Sequence, residues 1–353
     1  MSAPLSGIPA PRICVVRLSA LGDVVLAWAA IRALALHLPR ARIVWLTGRP
    51  LDTVLGGLPA NVEVLGIAKP EGIGDYLALR RRFSGERFDA LLAMQASFRA
   101  NLLYPCIRAP LKLGYDRRLA REGHGWFVKQ RIRRADEHLL DGFMAFVQEL
   151  GVPPAEPVWS LPLDAGAQEW VRAQTLSEPY VLINPSSSKA DRNWPAARSA
   201  ELARLITQRH GLRVVLCGGP APAEREIAAA IAAQAPGVIN LAGQTHLPQL
   251  FALIAGARVL VSPDSGPVHI ARAYEVPVVG LYADARPEKS GPYGRLQWTV
   301  NRYPQALLAL RGKDAAQVDW HQRVHDPRAM ELITVAEVAA QFEQSLRQSP
   351  AAH

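Results

Sequence analysis

At 353 residues, 49% hydrophobic and 20% charged, the chain is too long for one ordinary core and too apolar for a disordered polymer, so two globular domains are expected. The formal charge of +9 is unevenly spread: between Arg80 and Arg134 stand 14 Lys and Arg against four Asp and Glu, which leaves the rest of the chain close to neutral. Three widely separated cysteines exclude a disulfide framework, no window of about 18 uncharged apolar residues exists to span a membrane, and the Pro-rich start lacks the apolar stretch of a secretory signal, so a cytoplasmic place is expected.

In chain order, strands and helices alternate. Residues 13–18 form an apolar run broken only by Arg17, residues 24–38 have helical spacing, and residues 42–47 and 88–94 read as further strands. Runs that are continuously apolar belong to sheets covered on both faces, hence a parallel α/β domain. The basic stretch follows, then a helix over about 135–150. Residues 151–163 contain Pro153, Pro154, Pro157 and Pro162 and read as a linker. The pattern then restarts, with strands at 180–184, 214–217, 238–241, 259–262 and 278–282, and helices near 196–210, 223–235, 247–255 and 268–274. A last helix covers about 334–346. The expected divisions are 1–160, 161–333 and, for the final helix, 334–353.

In open parallel sheets, ligands bind where strand C-terminal ends run into helices. Four such loops carry chemistry. In the first, Arg17-Leu18-Ser19-Ala20-Leu21-Gly22-Asp23, Gly22 lets the backbone approach a ligand. Asp23 there either caps the helix or turns its carboxylate outward to take a proton from a hydroxyl. In the second, Ser187, Ser188, Lys189 and Arg192 offer the donors and fixed positive charge that a diphosphate needs, or form an ordinary polar loop. In the third, Asp264 or Ser265 caps a helix, Gly266 removes a side chain and Pro267 sets the first turn. The result is a row of free N–H groups at the positive end of a helix dipole, with His269 one turn in as a structural or orienting group. The fourth, Leu241-Ala242-Gly243-Gln244-Thr245-His246-Leu247, either lines a base or ribose pocket or is a plain turn with Thr245 as a cap. The basic segment is either a solvated surface or a site for an anionic partner: nucleic acid, acidic lipid, or a phosphorylated or carboxylated substrate. Asp-x-Asp, Walker A, complete G-x-G-x-x-G and C-x-x-C patterns are all missing, so leaving-group charge falls to cations and backbone amides.

Four pieces in register, Arg17-Leu18-Ser19-Ala20-Leu21-Gly22-Asp23-Val24, Arg192-Asn193-Trp194-Pro195, Asp264-Ser265-Gly266-Pro267-Val268-His269 and Gly291-Pro292-Tyr293-Gly294, resemble glycosyltransferase family 9, the bacterial ADP-heptose:lipopolysaccharide heptosyltransferases. The resemblance covers residues 13 to about 294. Gly114-Tyr115-Asp116-Arg117 with Arg121, and Glu137-His138-Leu139-Leu140-Asp141-Gly142-Phe143, look most like the heptosyltransferase I group, its OpsX-type members included.

The resemblance implies a GT-B fold: two Rossmann-like parallel-sheet domains facing across a cleft, acceptor in the N-terminal one, nucleotide sugar in the C-terminal one, and the last helix crossing back to the first. It further implies an inverting, metal-independent enzyme without a resident cofactor, moving heptose from ADP-L-glycero-D-manno-heptose to Kdo of Kdo-lipid A. Such an enzyme is expected to be a monomer resting on the anionic inner face of the inner membrane. Asp23 then matches the general base. Ser187, Ser188, Lys189 and Arg192 match the donor-phosphate contacts, Arg192 standing where many members have Lys. Thr245 falls near the adenine pocket. Asp264, Ser265 and Gly266 match the donor-binding helix start, with His269 beside it. Ser19, Gly22, Arg117, Arg118 and Arg121 fall on the acceptor side. The alternatives are heptosyltransferase II, a GT-B transferase with another nucleotide sugar, a nucleotide-sugar 2-epimerase, and a basic nucleic-acid-binding protein. The last is disfavoured because the basic segment lacks the interleaved aromatics of a stacking platform.

Overall fold

The computed structural model describes residues 4–117, 119–120, 122–133, 138–174 and 178–348. The chain divides into two units, Met1–Pro162 and Leu163–His353.

In the first unit six strands run parallel: β1 (Arg12–Val16), β2 (Arg42–Gly48), β3 (Val62–Ile67), β4 (Ala90–Ala93), β5 (Leu111–Gly114) and β6 (Gln130–Arg131), in the order β3-β2-β1-β4-β5-β6. The helices are α1 (Leu21–His37), α2 (Ile73–Arg82), α3 (Phe98–Asn101), α4 (His124–Phe127) and α5 (Leu139–Gln148). Residues 13–16 of β1 are fully buried, as a central strand with both faces covered requires. Helix α1 is buried without a break from Val24 to Ile31, and α5 packs against it. Strand β3 was not legible in the sequence because it lies at a sheet edge, where Glu63 stays in solvent. Strands β5 and β6 hid in the basic stretch, since edge and near-edge strands tolerate Lys112 and Arg131.

The connection from β5 to α4 is fixed by His124. The imidazole is fully buried; its Nε2 accepts from the Tyr115 amide at 3.2 Å, so the proton sits on Nδ1, which donates to Asn101 Oδ1 at 2.7 Å. Burial, helped by the nearby Arg131, pushes the imidazole pKa from 6.5 to about 4. The unfolded chain therefore takes up a proton below pH 6.5 that the folded chain refuses. Stability is fully present above pH 6.5 and is lost as pH falls toward 4, by roughly 3 kcal/mol at 1.36 kcal/mol per unit. Urea denaturation of the wild type and His124→Asn between pH 7.5 and 4.5 checks this: the variant is less stable throughout but loses this component of the acid slope.

In the second unit β7 (Tyr180–Ile183), β8 (Arg213–Leu216), β9 (Ile239–Asn240), β10 (Val259–Pro263), β11 (Val278–Tyr282) and β12 (Val300–Asn301) form a parallel sheet in the order β12-β11-β10-β7-β8-β9. Its helices are α6 (Ala165–Ala173), α7 (Ala196–His210), α8 (Pro222–Gln234), α9 (Leu247–Ala255), α10 (Gly266–Ala273), α11 (Pro287–Ser290), α12 (Tyr303–Arg311) and α13 (Val335–Gln348).

The last helix, α13, belongs to the second unit. Val338, Ala339 and Phe342 are buried in the second unit's core beside Val181, Leu216 and Ile206, and the helix lies against α7, β10 and β11. The indole of Trp194 donates to Ile333 O at 3.0 Å and ties the segment before α13 to the start of α7.

In each sheet the strand order reverses once, between β1 and β4 and between β7 and β10. These reversals open a crevice beyond the strand C-terminal ends. Among the described residues no helix is long and apolar enough to cross a membrane.

Candidate active site

Each unit places its most chemically loaded loops at its own reversal point. In the first unit these follow β1 and β4. Arg17 leaves β1 and donates to Met94 O at 2.7 Å, while the Leu18 amide donates to Gln95 Oε1 at 2.7 Å, so the two loops are stitched together. Gln95 Nε2 also reaches Ser19 Oγ at 3.3 Å. Asp23 sits in the first turn of α1. Its Oδ2 takes both the Arg17 guanidinium and, at 3.3 Å, the Ala20 amide. Capping and chemistry are thus not alternatives: one oxygen anchors the carboxylate, and among the described residues Oδ1 has no partner. The side chain is 24% exposed, enough to meet a substrate. A carboxylate at a helix N-terminus, held by one oxygen with the other open, is suited to accept a proton. Gly22 is buried beneath it and Ser19 is exposed beside it.

Of the expected acceptor-side arginines, Arg117 is exposed on the connection after β5. Arg118 and Arg121 lie outside the described residues.

In the second unit, Asn184 at the end of β7 is 3% exposed and its Nδ2 donates to Ser186 O, Ser262 Oγ and Ser265 Oγ at 2.8, 3.1 and 3.0 Å, locking the β7 and β10 loops together. The Ser187 amide is held by Asn193 Oδ1 at 2.8 Å, and Ser188 and Lys189 stand exposed next to it. Ser265 precedes α10 but makes no side-chain cap bond, because its hydroxyl is engaged with Asn184 and Ser262. The N-terminal end of α10 at Gly266 thus has no side-chain cap, as an anion site requires. His269 is buried in α10.

Of the two cap candidates, Ser265 holds the N-cap position of α10 and Asp264 does not. Its carboxylate is buried, paired with Arg192 Nη1 at 2.7 Å and accepting from Ser290 Oγ at 3.0 Å. Burial pushes its carboxyl up, against the pull of Arg192 and the Ser290 hydroxyl. It therefore positions Arg192. A second buried carboxylate, Asp284, lies 3.5 Å from Arg192 Nε and receives Arg323 Nε at 2.6 Å and the His325 amide at 2.9 Å. Burial and the two guanidinium groups of Arg323 and Arg192 lower the Lys189 ammonium. Three cations thus gather beside Asp264, Asp284 and, 4.0 Å from Arg323, Asp191. The exposed Lys189 ammonium beside the fixed guanidinium groups suits an anionic ligand such as a diphosphate.

Asp191, Asp284 and His325 bring possible metal-ligand atoms within 4.8 Å of one another. Arg323 and Arg192 already engage the Asp284 carboxylate, so the trio is part of an ion-pair network. Thr245 is half-buried in the turn before α9, but the cap is His246, whose Nδ1 accepts from the Gln249 amide at 3.4 Å.

Sequence reasoning missed Gln95, Asn184, Ser290, Asp284 and Arg323. The reversal-point rule could have found Gln95, which follows β4 as Arg17 follows β1. Arg323 lies in an aperiodic stretch and carries no local signal.

Residues 76–314 match the family described as glycosyltransferase family 9 (heptosyltransferase). The chain is 36% identical over 334 residues to the lipopolysaccharide core heptosyltransferase OpsX of Haemophilus influenzae, covering 94% of this chain and 96% of that one. The structure of a family 9 glycosyl transferase from Veillonella parvula superposes with a TM-score of 0.76 at 22% identity, over 96% of this chain and 98% of that chain. ADP-heptose LPS heptosyltransferase II of E. coli does so with a TM-score of 0.70 at 21% identity, over 96% and 99%. These two likenesses are of fold, two parallel six-stranded sheets of the GT-B kind.

Proposed function

We propose that this chain, which belongs to glycosyltransferase family 9, is an inverting, metal-independent heptosyltransferase acting from ADP-L-glycero-D-manno-heptose onto Kdo of Kdo-lipid A. What carries the reading is Asp23, anchored through Oδ2 and open at Oδ1. Oδ1 takes the proton of an acceptor hydroxyl as that oxygen attacks the heptose anomeric carbon. The bond from that carbon to the β-phosphate oxygen breaks on the opposite face, which inverts the configuration. ADP departs with the electron pair, and its charge meets Arg192, Lys189, Arg323 and the amides at Gly266 in place of a metal. Ser187 and Ser188 donate to the same phosphates, Thr245 borders the adenine, and His269 orients the α10 end. Ser19, Gly22 and the arginines at 117, 118 and 121 receive the carboxylated and phosphorylated acceptor. The enzyme works as a monomer at the inner face of the inner membrane.

Two experiments test this. ADP at about 100 times its dissociation constant should stabilise the protein by about 2.7 kcal/mol, roughly 5–10 °C in Tm, with EDTA present and absent, while UDP and GDP shift it far less. Mass spectrometry of lipopolysaccharide from a strain lacking the protein should show a core ending at Kdo. A core ending after the first heptose would overturn the acceptor assignment, and equal shifts with UDP would overturn the donor.

A further inference from the structure

We propose that the surface formed by α2, α3 and α4 docks the first unit onto an anionic lipid bilayer, an inference that extends the proposed lipid-linked acceptor. Helix α2 has no buried residue, and Ile73 and Leu77, four apart on one face, are 81% and 46% exposed. Phe98 on α3 is 58% exposed and Trp126 on α4 is 87% exposed. These elements are neighbours. Tyr76 of α2 donates through its hydroxyl to Arg99 O at 3.3 Å, and the side-chain Nδ2 of Asn101 in α3 donates to Glu122 O, just before α4, at 2.8 Å. A soluble domain seldom gathers such side chains on one side without a partner.

The charge around them names the partner. Arg80, Arg81, Arg82, Arg99, Arg117 and Lys129 are exposed on the same segment. Of its four acids, Glu86 pairs with Arg12 and Arg42, while Asp89, Asp116 and Glu122 accept from the Arg12, Leu119 and Phe98 amides, so basic groups outnumber them by ten. Glu71 and Asp75 add negative charge near the start of α2, where Asp75 is bonded to the Glu71 and Gly72 amides. Beside Trp126, an open cavity of about 420 Å³ is lined by Arg117 and Arg131. Neither arginine has an acid or hydrogen-bond partner among the described residues, and Arg131 Nε is buried. Exposed apolar and indole side chains on the same segment as exposed basic ones match an interface of acyl chains and anionic headgroups.

The position fits the chemistry as well. Helices α2, α3 and α4 follow the C-terminal ends of parallel strands β3, β4 and β5, the same sheet edge from which the Asp23 loop leaves β1. The loop that leads from β4 into α3 and Phe98 is the one bonded to that loop through Met94 and Gln95. Docking by this surface brings a lipid-anchored sugar to the edge that holds the base.

The test uses the full chain with vesicles of phosphatidylcholine, with and without phosphatidylglycerol. The wild type should sediment only with the anionic vesicles and release with salt. Trp126 emission, isolated as the difference from Trp126→Phe, should shift to the blue on binding. Ile73→Ser/Leu77→Ser/Phe98→Ser, three exposed changes that leave the core intact, should bind roughly tenfold or more weakly and transfer correspondingly less to acceptor embedded in vesicles. Its transfer to a deacylated, water-soluble acceptor should equal the wild type's. Absence of vesicle binding, wild-type binding by the triple variant, equal loss on both acceptors, or burial of these side chains in a self-associated dimer each overturns the proposal. Vesicle binding that depends on these residues in a protein inactive on both acceptors leaves the surface standing and rejects the proposed reaction.

Discussion

Asp23→Asn is expected to lower kcat by about 10²–10⁴-fold while leaving the donor dissociation constant unchanged. The asparagine oxygen can still accept the Ala20 amide, and Arg17 keeps Met94 O and its place over the Phe143 ring at 5.2 Å. Geometry is therefore retained and basicity is lost. The measurement is single-turnover transfer with ADP-heptose, alongside ADP affinity by calorimetry. Activity within a few-fold of wild type would show that the proton leaves by another route. Loss of ADP affinity would show that the substitution had disturbed the fold.

Arg192→Ala is expected to lower kcat/KM for the donor by about 10²–10³-fold, the usual effect of removing one group that meets developing charge. The guanidinium reaches Asp264 at 2.7 Å and Asp284 at 3.5 Å, so its loss takes the paired cation from Asp264 and leaves the Ser290 hydroxyl bonded to it. Arg192→Lys should fall between wild type and alanine, because a point charge cannot span two carboxylates as the planar fork does. Steady-state kinetics with varied donor check both, with Tm read in parallel. An alanine variant that keeps donor kcat/KM would remove Arg192 from the leaving-group site.

The two sites differ in how far they were legible. The Asp23 loop and the start of α10 are local features: an apolar strand, a glycine, an acid and a proline in consecutive positions. Periodicity and helix-end chemistry act over a few residues, so the sequence exposes them directly. Asp264 was legible only as one of two cap candidates; its buried pairing with Arg192, 72 positions earlier in the chain, was not. Nothing near position 264 encodes that preference.

The sequence by itself determined the parallel α/β class, the Pro-rich junction, the concentration of charge between Arg80 and Arg134 and the loops that end on Asp23, Arg192 and Gly266, since each follows from neighbouring residues. Tertiary structure alone decided which acids those cations meet, and where the last helix lies. Arg323 reaches Asp284 across 39 positions and α13 covers α7, β10 and β11, because the strand order β12-β11-β10-β7-β8-β9 sets which loop ends and which apolar faces become neighbours. The physical reason is that buried charge must find an opposite partner and a helix must bury its apolar stripe, while the identity of the partner depends on the packing of the whole domain.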